Sequence, residues 1–542
     1  MAASRKKRYG NPAKKLFGIA IHRPVFIPAA FLIFTLALSG VLAPQYLGDS
    51  AKSLQEAIAN NLGWFYLVAM NVFLGFAVYL IFSRYGDVRL GGDNVRPEFS
   101  NWGWYSILFA AGTGVGLLFY GVAEPVSFFG DPPFGEPETE QAARDALVHS
   151  YFHWGFHGWS MYALVGLSLG FFCYNRGLPL TVRSAFQPLL GDRLEGPWGN
   201  LIDIIAVVGT LTGVAVSLGL GVKQINTGLE QVFGLPNNTG VQLGLIAGIT
   251  AAATASVVTG LAKGIQLLSK LAMLLGGALV VYVVFFGPAQ FLFHALVESI
   301  GAYLQQIPSR GTYLEAFKPP GSPDWQNQWT LFYFAWWISW SPFVGMFIAR
   351  VSLGRTLREY LLGVLLVPTA VSMIWLTSMG GSALFSELYG DSNLVSVVQE
   401  DVVMGFFVFL ENFDVPHWLS LISMSLLIMV VCIFFVTSSD SGSLVIDILS
   451  SGGDTNPPTP TRVFSALLEG TIAAVLLVAG GLVALQSVAT IAGLAFAIVI
   501  LLMCMGLYLG LKRDGARYQK GRQVDGDGPL EAVRRSGPDG RT

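Results

Sequence analysis

The chain alternates long apolar runs with short polar stretches, and the runs show no period-two alternation of apolar and polar residues. Runs of spanning length fall at about 25–43, 63–82, 101–123, 147–173, 199–222, 240–259, 267–289, 328–349, 359–386, 416–438, 462–482 and 484–511. A bilayer core about 30 Å thick takes about twenty apolar residues as a helix. A closed barrel would need the alternation that is missing here. The pattern predicts an all-α integral membrane protein with twelve transmembrane helices. Between the seventh and eighth runs, QFLFHALVESIGAYLQQI sets apolar residues at helical spacing with polar ones between. It reads as an amphipathic helix lying at the outer face.

Composition agrees with a lipid-embedded body. Of 542 residues, 53% are hydrophobic and 12% charged, against about a quarter charged in soluble proteins. A net charge of −2 excludes a generally basic nucleic-acid binder. Cys173, Cys432 and Cys504 lie in or beside apolar runs and read as small hydrophobes, not as a disulfide framework or zinc site. The basic N-terminus precedes an apolar run too long for a typical signal core, which reads as a retained first span.

Charge also predicts direction. The N-terminal segment, the loops holding Arg84/Arg89/Arg96, Arg176/Arg183/Arg193 and Arg350/Arg355/Arg358, the Lys263/Lys270 turn and the segment after Lys512 are basic and fall on one side. The opposite loops are acidic or bare. By the positive-inside rule both termini are cytoplasmic, in the inner (cytoplasmic) membrane of a cell. The tail after Lys512 is rich in Gly and Pro and reads as mostly unstructured.

The third run, SILFAAGTGVGLLFYGVAEP, alternates Gly112, Gly114 and Gly116. Three glycines in five residues cost a helix about 2–3 kcal/mol against alanine. Gly112 and Gly116 also form a small-xxx-small pair that would allow close helix packing, but transporters place sites at interrupted mid-membrane helices. Glu124, near the end of that run, is either a satisfied structural carboxylate or a relay. The fourth run holds HSYFHWGFHGWSMYALVG, whose Trp154, Trp159 and Tyr162 need only slight helical drift to share a wall. His153 and His157 have metal-ligand spacing but no third ligand. In the eighth run, FAWWISWSPFVGMFIAR puts Trp336, Trp337 and Trp340 mid-span, too deep for an interfacial belt. Either they are core, or ring faces from two helices form a cage for a quaternary ammonium, whose nitrogen has no N–H to donate.

Taken together, AAGTGVGLLFYGVAEP, HWGFHGWSMY, WWISWSPFVGMFIAR and FFVTSSDSG closely resemble the betaine/choline/carnitine transporter family, over nearly the whole chain. The resemblance implies two leading helices followed by two inverted five-helix repeats in a LeuT-like core. The divisions would be a basic segment 1–24, the leading helices 25–98, a first repeat 99–290, the outer amphipathic helix and linker 291–327, a second repeat 328–511 and a tail 512–542. The implied aromatic box is Trp154, Trp159, Tyr162 and Trp337, with Trp336 and Trp340 lining and gating the pathway. Gly112, Thr113, Gly114 and Gly116 would contribute backbone, and Pro342 would break the eighth helix near the cage.

The resemblance also implies one sodium site at Ala110, Thr113, Phe434, Thr437 and Ser438. A second would fall at Thr210 with Phe343, but its further threonine is replaced by Val214, which offers no side-chain oxygen. The expected activity is sodium-driven symport of an onium solute, glycine betaine first, by alternating access, with a homotrimer implied. Proton-coupled choline uptake and carnitine-type exchange are the alternatives. No cofactor is expected beyond the coupling ion, Na+ or H+. An enzyme is not: Ser438, Ser439, Asp440 and Ser441 lie at a helix end with no matching His.

Overall fold

The computed structural model describes residues 14–16, 19–112, 114–259, 262–319 and 324–518. Its long helices are α1 (Arg23–Leu42), α2 (Pro44–Phe82), α3 (Asn101–Gly112), α4 (Gly114–Gly130), α5 (Glu140–Trp154), α6 (Phe156–Gly170), α7 (Pro197–Phe233) and α8 (Thr239–Thr259). They continue as α9 (Ala262–Phe286), α10 (Ala289–Gly311), α11 (Thr330–Val351), α12 (Leu357–Tyr389), α13 (His417–Ser450), α14 (Thr459–Gly481) and α15 (Val483–Asp514). A short antiparallel hairpin, β1 (Lys14–Leu16) with β2 (Ile19–Ile21), precedes α1.

Among the described residues, ten helices are long and apolar enough to cross a membrane, or eleven if α9 and α10, bent by 114°, count as one span. The twelfth expected run is the third, and it is no single helix. Its described residues form α3 and α4, and Gly114 opens α4 at φ +44°, a non-helical conformation that favours glycine. The amphipathic segment is α10, whose sharp angle to α9 turns it away from a straight continuation. Residues 44–62, which lie between the first two expected spans, are helical and continuous with the second. At 39 residues, α2 is about 58 Å long and outreaches the hydrocarbon core.

Burial sorts the helices into layers. In Trp325–Val351, which contains α11, 94% of the apolar window is buried, against 22% in α1 and 17% in Thr239–Ser256. Peripheral apolar side chains such as Phe31, Phe82 and Phe285 are exposed, as suits lipid contact. The tryptophan stretch is therefore at the centre of the molecule. α7 runs beside it, with Gly213 against Ser339 and Trp340 of α11, and Gly221 between Phe435 of α13 and Val115 of α4.

Two expectations about helix breaks fail. α11 runs unbroken through Pro342. The Ile338 carbonyl, denied the proline's missing N–H, accepts a hydrogen bond from the Ser341 hydroxyl at 2.7 Å, so the freed backbone group is satisfied within the helix. Asp440 is not at a helix end but inside α13, where Ser439 and Ser443 also lie.

Ser341→Ala is expected to strand the Ile338 carbonyl and lower stability by about 1–2 kcal/mol. Adding Pro342→Ala, which restores the backbone N–H, should recover much of the loss. Thermal melting of the two purified variants in detergent checks both statements.

Candidate functional site

The site is built where three helices are interrupted or unusually crowded with rings. Gly155 has φ −99° and ψ −144°, outside the helical region, and divides the expected fourth span into α5 and α6. The break leaves the His153 carbonyl unpaired, and the Trp337 indole N–H of α11 donates to it at 3.1 Å. The freed Phe156 N–H donates to the Tyr303 hydroxyl of α10 at 2.9 Å. Trp154 ends α5, whereas Trp159 and Tyr162 lie on α6, so a break rather than helical drift sets their relative directions.

All six expected rings are buried. Trp154 meets Trp337 edge to face at 4.7 Å between centroids, and Tyr162 meets Trp337 at 6.2 Å and Trp340 at 6.5 Å in the same manner. Trp159 stands edge-on to Tyr162 at 5.6 Å. Trp336 and Trp337 stack at 4.8 Å with planes 10° apart. The glycine stretch closes the cluster. A methyl on Gly116 would approach Trp336 to 2.6 Å and Trp154 to 3.0 Å, and one on Gly114 would meet Trp340 at 2.9 Å. Glycine is required at both positions because indole edges occupy the space of a β-carbon. The hydroxyl of Tyr162 and the indole nitrogens of Trp336 and Trp340 are buried without hydrogen-bond partners among the described residues.

Glu124 of α4 holds this arrangement. Its Oε2 accepts from the Trp154 indole at 2.7 Å and from the Tyr333 hydroxyl at 2.6 Å, while His153 Nδ1 lies 2.7 Å from Oε1. His153 Nε2 is in turn 3.0 Å from the Thr330 hydroxyl. Of the two readings of Glu124 left open by the sequence, the geometry is that of a satisfied carboxylate. Sequence reasoning missed Tyr333 and His153 as its partners, and Thr330 as the partner of His153; only an acidic residue inside an apolar run signalled the clamp. His157, across the Gly155 break from His153, contacts Asn71 at 3.2 Å instead, and among the described residues no group of three ligands could hold a metal ion.

The expected ion ligands are only partly in view. Thr113 lies outside the described residues, and so do the side chains of Ala110 and Gly112 in the last turn of α3. Phe434, Thr437 and Ser438 line up along α13, nearly buried. Thr437 Oγ1 donates within its own helix, toward the carbonyls of Ile433 at 3.0 Å and Phe434 at 3.2 Å, leaving its lone pairs free. Phe434 and Gly114 line the same apolar cavity of about 370 Å³ with Leu117, Leu118 and Trp375, so α13 and the α3/α4 break face one space. On α7 the Thr210 hydroxyl is buried without a partner among the described residues, whereas Thr212 back-bonds to Val208 and Gly209. Phe343 of α11 packs against Trp340 at 5.4 Å.

The family model for betaine/carnitine/choline transporters matches residues 24–516. The chain belongs to that family. It is 42% identical to the glycine betaine transporter of Bacillus subtilis, over 90% of this chain and 94% of that protein. A glycine betaine/proline/choline/ectoine transporter of Vibrio parahaemolyticus is 43% identical over 94% of this chain and 91% of its own. The high-affinity choline transport protein of Escherichia coli K12 is 39% identical over 94% of this chain and 75% of its own. This betaine/carnitine/choline family member is thus a multi-pass membrane transporter and not an enzyme.

Gly116→Ala is expected to force the Trp336 and Trp154 indoles apart, at about 1–3 kcal/mol. Glu124→Leu should cost about 3 kcal/mol or more by orphaning buried donors. Thermal melting followed by tryptophan fluorescence reads both, and Glu124→Gln, which keeps an acceptor, should fall between wild type and Leu.

Proposed function

We propose that the protein is a secondary active symporter that imports a quaternary-ammonium compatible solute, glycine betaine first, driven by a sodium gradient. The observation that carries this reading is the convergence of Trp154, Trp159, Tyr162 and Trp337 from three buried helices, α5, α6 and α11, beside the glycine break of α3 and α4. An onium group offers methyl surface and diffuse positive charge. Ring faces recognise both, each contributing about 0.5–2 kcal/mol when desolvated.

A zwitterion fits better than a free cation. The Glu124 carboxylate is engaged by its donors, while the indole N–H groups of Trp336 and Trp340 and the Tyr162 hydroxyl are unpartnered among the described residues. Those groups suit a substrate carboxylate. The Bacillus and Vibrio relatives are both named as transporters of glycine betaine. Choline with proton coupling, or carnitine-type exchange, is the alternative, and choline is named for the Escherichia coli relative.

In this reading sodium binds Ala110 and Thr113 at the α3/α4 break and Phe434, Thr437 and Ser438 on α13. Thr210 and Phe343 form a second, less complete set. The interrupted pair α3/α4 is the twelfth crossing and opens the first repeat of 99–290, as α11 opens the second of 328–511. Both termini are cytoplasmic, the two repeats rock for alternating access, and three copies assemble.

Radiolabelled glycine betaine and choline uptake into proteoliposomes, with sodium and proton gradients imposed separately, tests the proposal. Saturable glycine betaine uptake that follows sodium is expected. Trp337→Leu should lower uptake at subsaturating substrate about tenfold, and Thr437→Ala should raise the sodium concentration needed for half-maximal rate. Uptake indifferent to sodium, or to loss of Trp337, would refute the corresponding part.

A further inference from the structure

A second buried polar site lies away from the aromatic cluster, between α13 and α14. Glu469 of α14 is fully buried, and its Oε2 lies 3.1 Å from the Ser439 hydroxyl and 3.2 Å from the Ser443 hydroxyl. Its Oε1 has no partner among the described residues and points at Gly442, where Val214 of α7 also packs. An unpaired carboxylate anion in hydrocarbon surroundings is heavily penalised.

The serine geometry has room for a hydrogen on the carboxyl. Ser443 has one hydroxyl hydrogen, and its Oγ is 2.8 Å from the Ser439 carbonyl, closer than to Glu469. That hydrogen belongs to the carbonyl bond. The remaining 3.2 Å contact between Ser443 Oγ and Glu469 Oε2 is filled either by sharing that hydrogen or by a hydrogen on the carboxyl, and burial of an unpaired carboxylate favours the second. A protonated Glu469 completes a consistent chain: Ser439 donates to Oε2, the carboxyl O–H donates to Ser443, and Ser443 donates to the Ser439 carbonyl.

Among the described residues, no cation is bonded to Glu469. α13 adds Asp440 and Asp447, both acidic. The Arg462 guanidinium of α14 lies 3.5 Å from Asp440, which also accepts from Ser256 of α8 at 3.2 Å. Asp447 accepts from Ser465 at 2.5 Å. α7 and α1 present apolar contacts here, Val214 at Gly442 and Phe26 against Phe464. Among the described residues no metal-ligand group exists to suggest a divalent ion.

We propose that Glu469 is a proton-binding site of the transport cycle, protonated while α13 and α14 are packed as here and releasing its proton to water only when they part. The carboxyl passes between neutral acid and anion, with the proton exchanged with the aqueous phase that reaches it. The proposal rests on reading the chain as a solute symporter, and it adds a proton-linked step whatever the driving ion.

The test uses the full-length protein in proteoliposomes, with radiolabelled glycine betaine, a fixed sodium gradient and equal pH on both sides. Wild-type uptake is expected to fall on the alkaline side, approaching about tenfold per pH unit once the carboxyl ionises. Glu469→Gln, which mimics the neutral acid, should show a rate that no longer varies with pH. Ser443→Ala removes the acceptor of the carboxyl hydrogen and should move the alkaline limb to lower pH. A flat wild-type profile, or one shared by Glu469→Gln, overturns the proposal. Infrared spectroscopy of the purified protein gives a readout independent of transport. A protonated-carboxyl carbonyl band present in wild type at neutral pH and reduced in Glu469→Gln supports the site; an unchanged band refutes it. Should wild type take up no glycine betaine while this band behaves as expected, the substrate reading fails and the proton site stands.

Discussion

Much of the core depends on one buried carboxylate. Glu124 reaches from α4 to the last turn of α5 and to the first turns of α11, taking hydrogen bonds from Trp154 and Tyr333 and meeting His153. A carboxyl group so deep in the molecule is tolerable only when its oxygens are hydrogen-bonded. The partners must therefore keep their places. The same contacts orient the Trp154 indole and set the wall against which Trp337 packs.

Non-helical backbone at membrane depth obeys the same rule, since each freed N–H or carbonyl needs a partner inside the protein. At Gly155 the partners are the Trp337 indole and the Tyr303 hydroxyl. At Gly114 the broken chain is covered by Trp340. The large aromatic side chains thus serve two ends: they fill the space beside the breaks, and their polar edges satisfy backbone that a regular helix would have satisfied itself. At Gly480 and Gly481, the last residues of α14, the backbone is again non-helical, with Gly481 at φ +58°, a conformation open to glycine.

What could be read from the sequence follows from range. The glycine stretch announced its break because three glycines within one turn and a half overwhelm helix propensity locally. The depth of Trp336, Trp337 and Trp340 within an apolar run identified them as central, for the same local reason. The Gly155 break was not legible, because a lone glycine in a helical run is commonly tolerated. Pro342 was misread since the remedy, one hydroxyl at Ser341, is a matter of rotamer. The partners of Glu124 lie 29, 30 and 209 residues away in sequence, beyond the reach of any periodicity. Glu469 and its serines, 26 and 30 residues apart on separate helices, were silent for the same reason.

The placement of Glu124 also bears on how a cage of neutral rings attracts a cation. Trp154 and Tyr333 present their N–H and O–H, the positive edges of their π systems, to the carboxylate. Donation to an anion draws electron density toward the ring, and in a low-dielectric interior such polarisation is stronger than in water. The faces of those rings, which carry the negative side of the quadrupole, become better partners for an onium group. In the proposed cage the anion therefore acts through the edge of Trp154 rather than by direct contact. Direct contact would bind a bare cation tightly and offer nothing to the substrate's own carboxylate. Action through the ring strengthens the cation's attraction while leaving Trp336, Trp340 and Tyr162 as donors for the other end of a zwitterion.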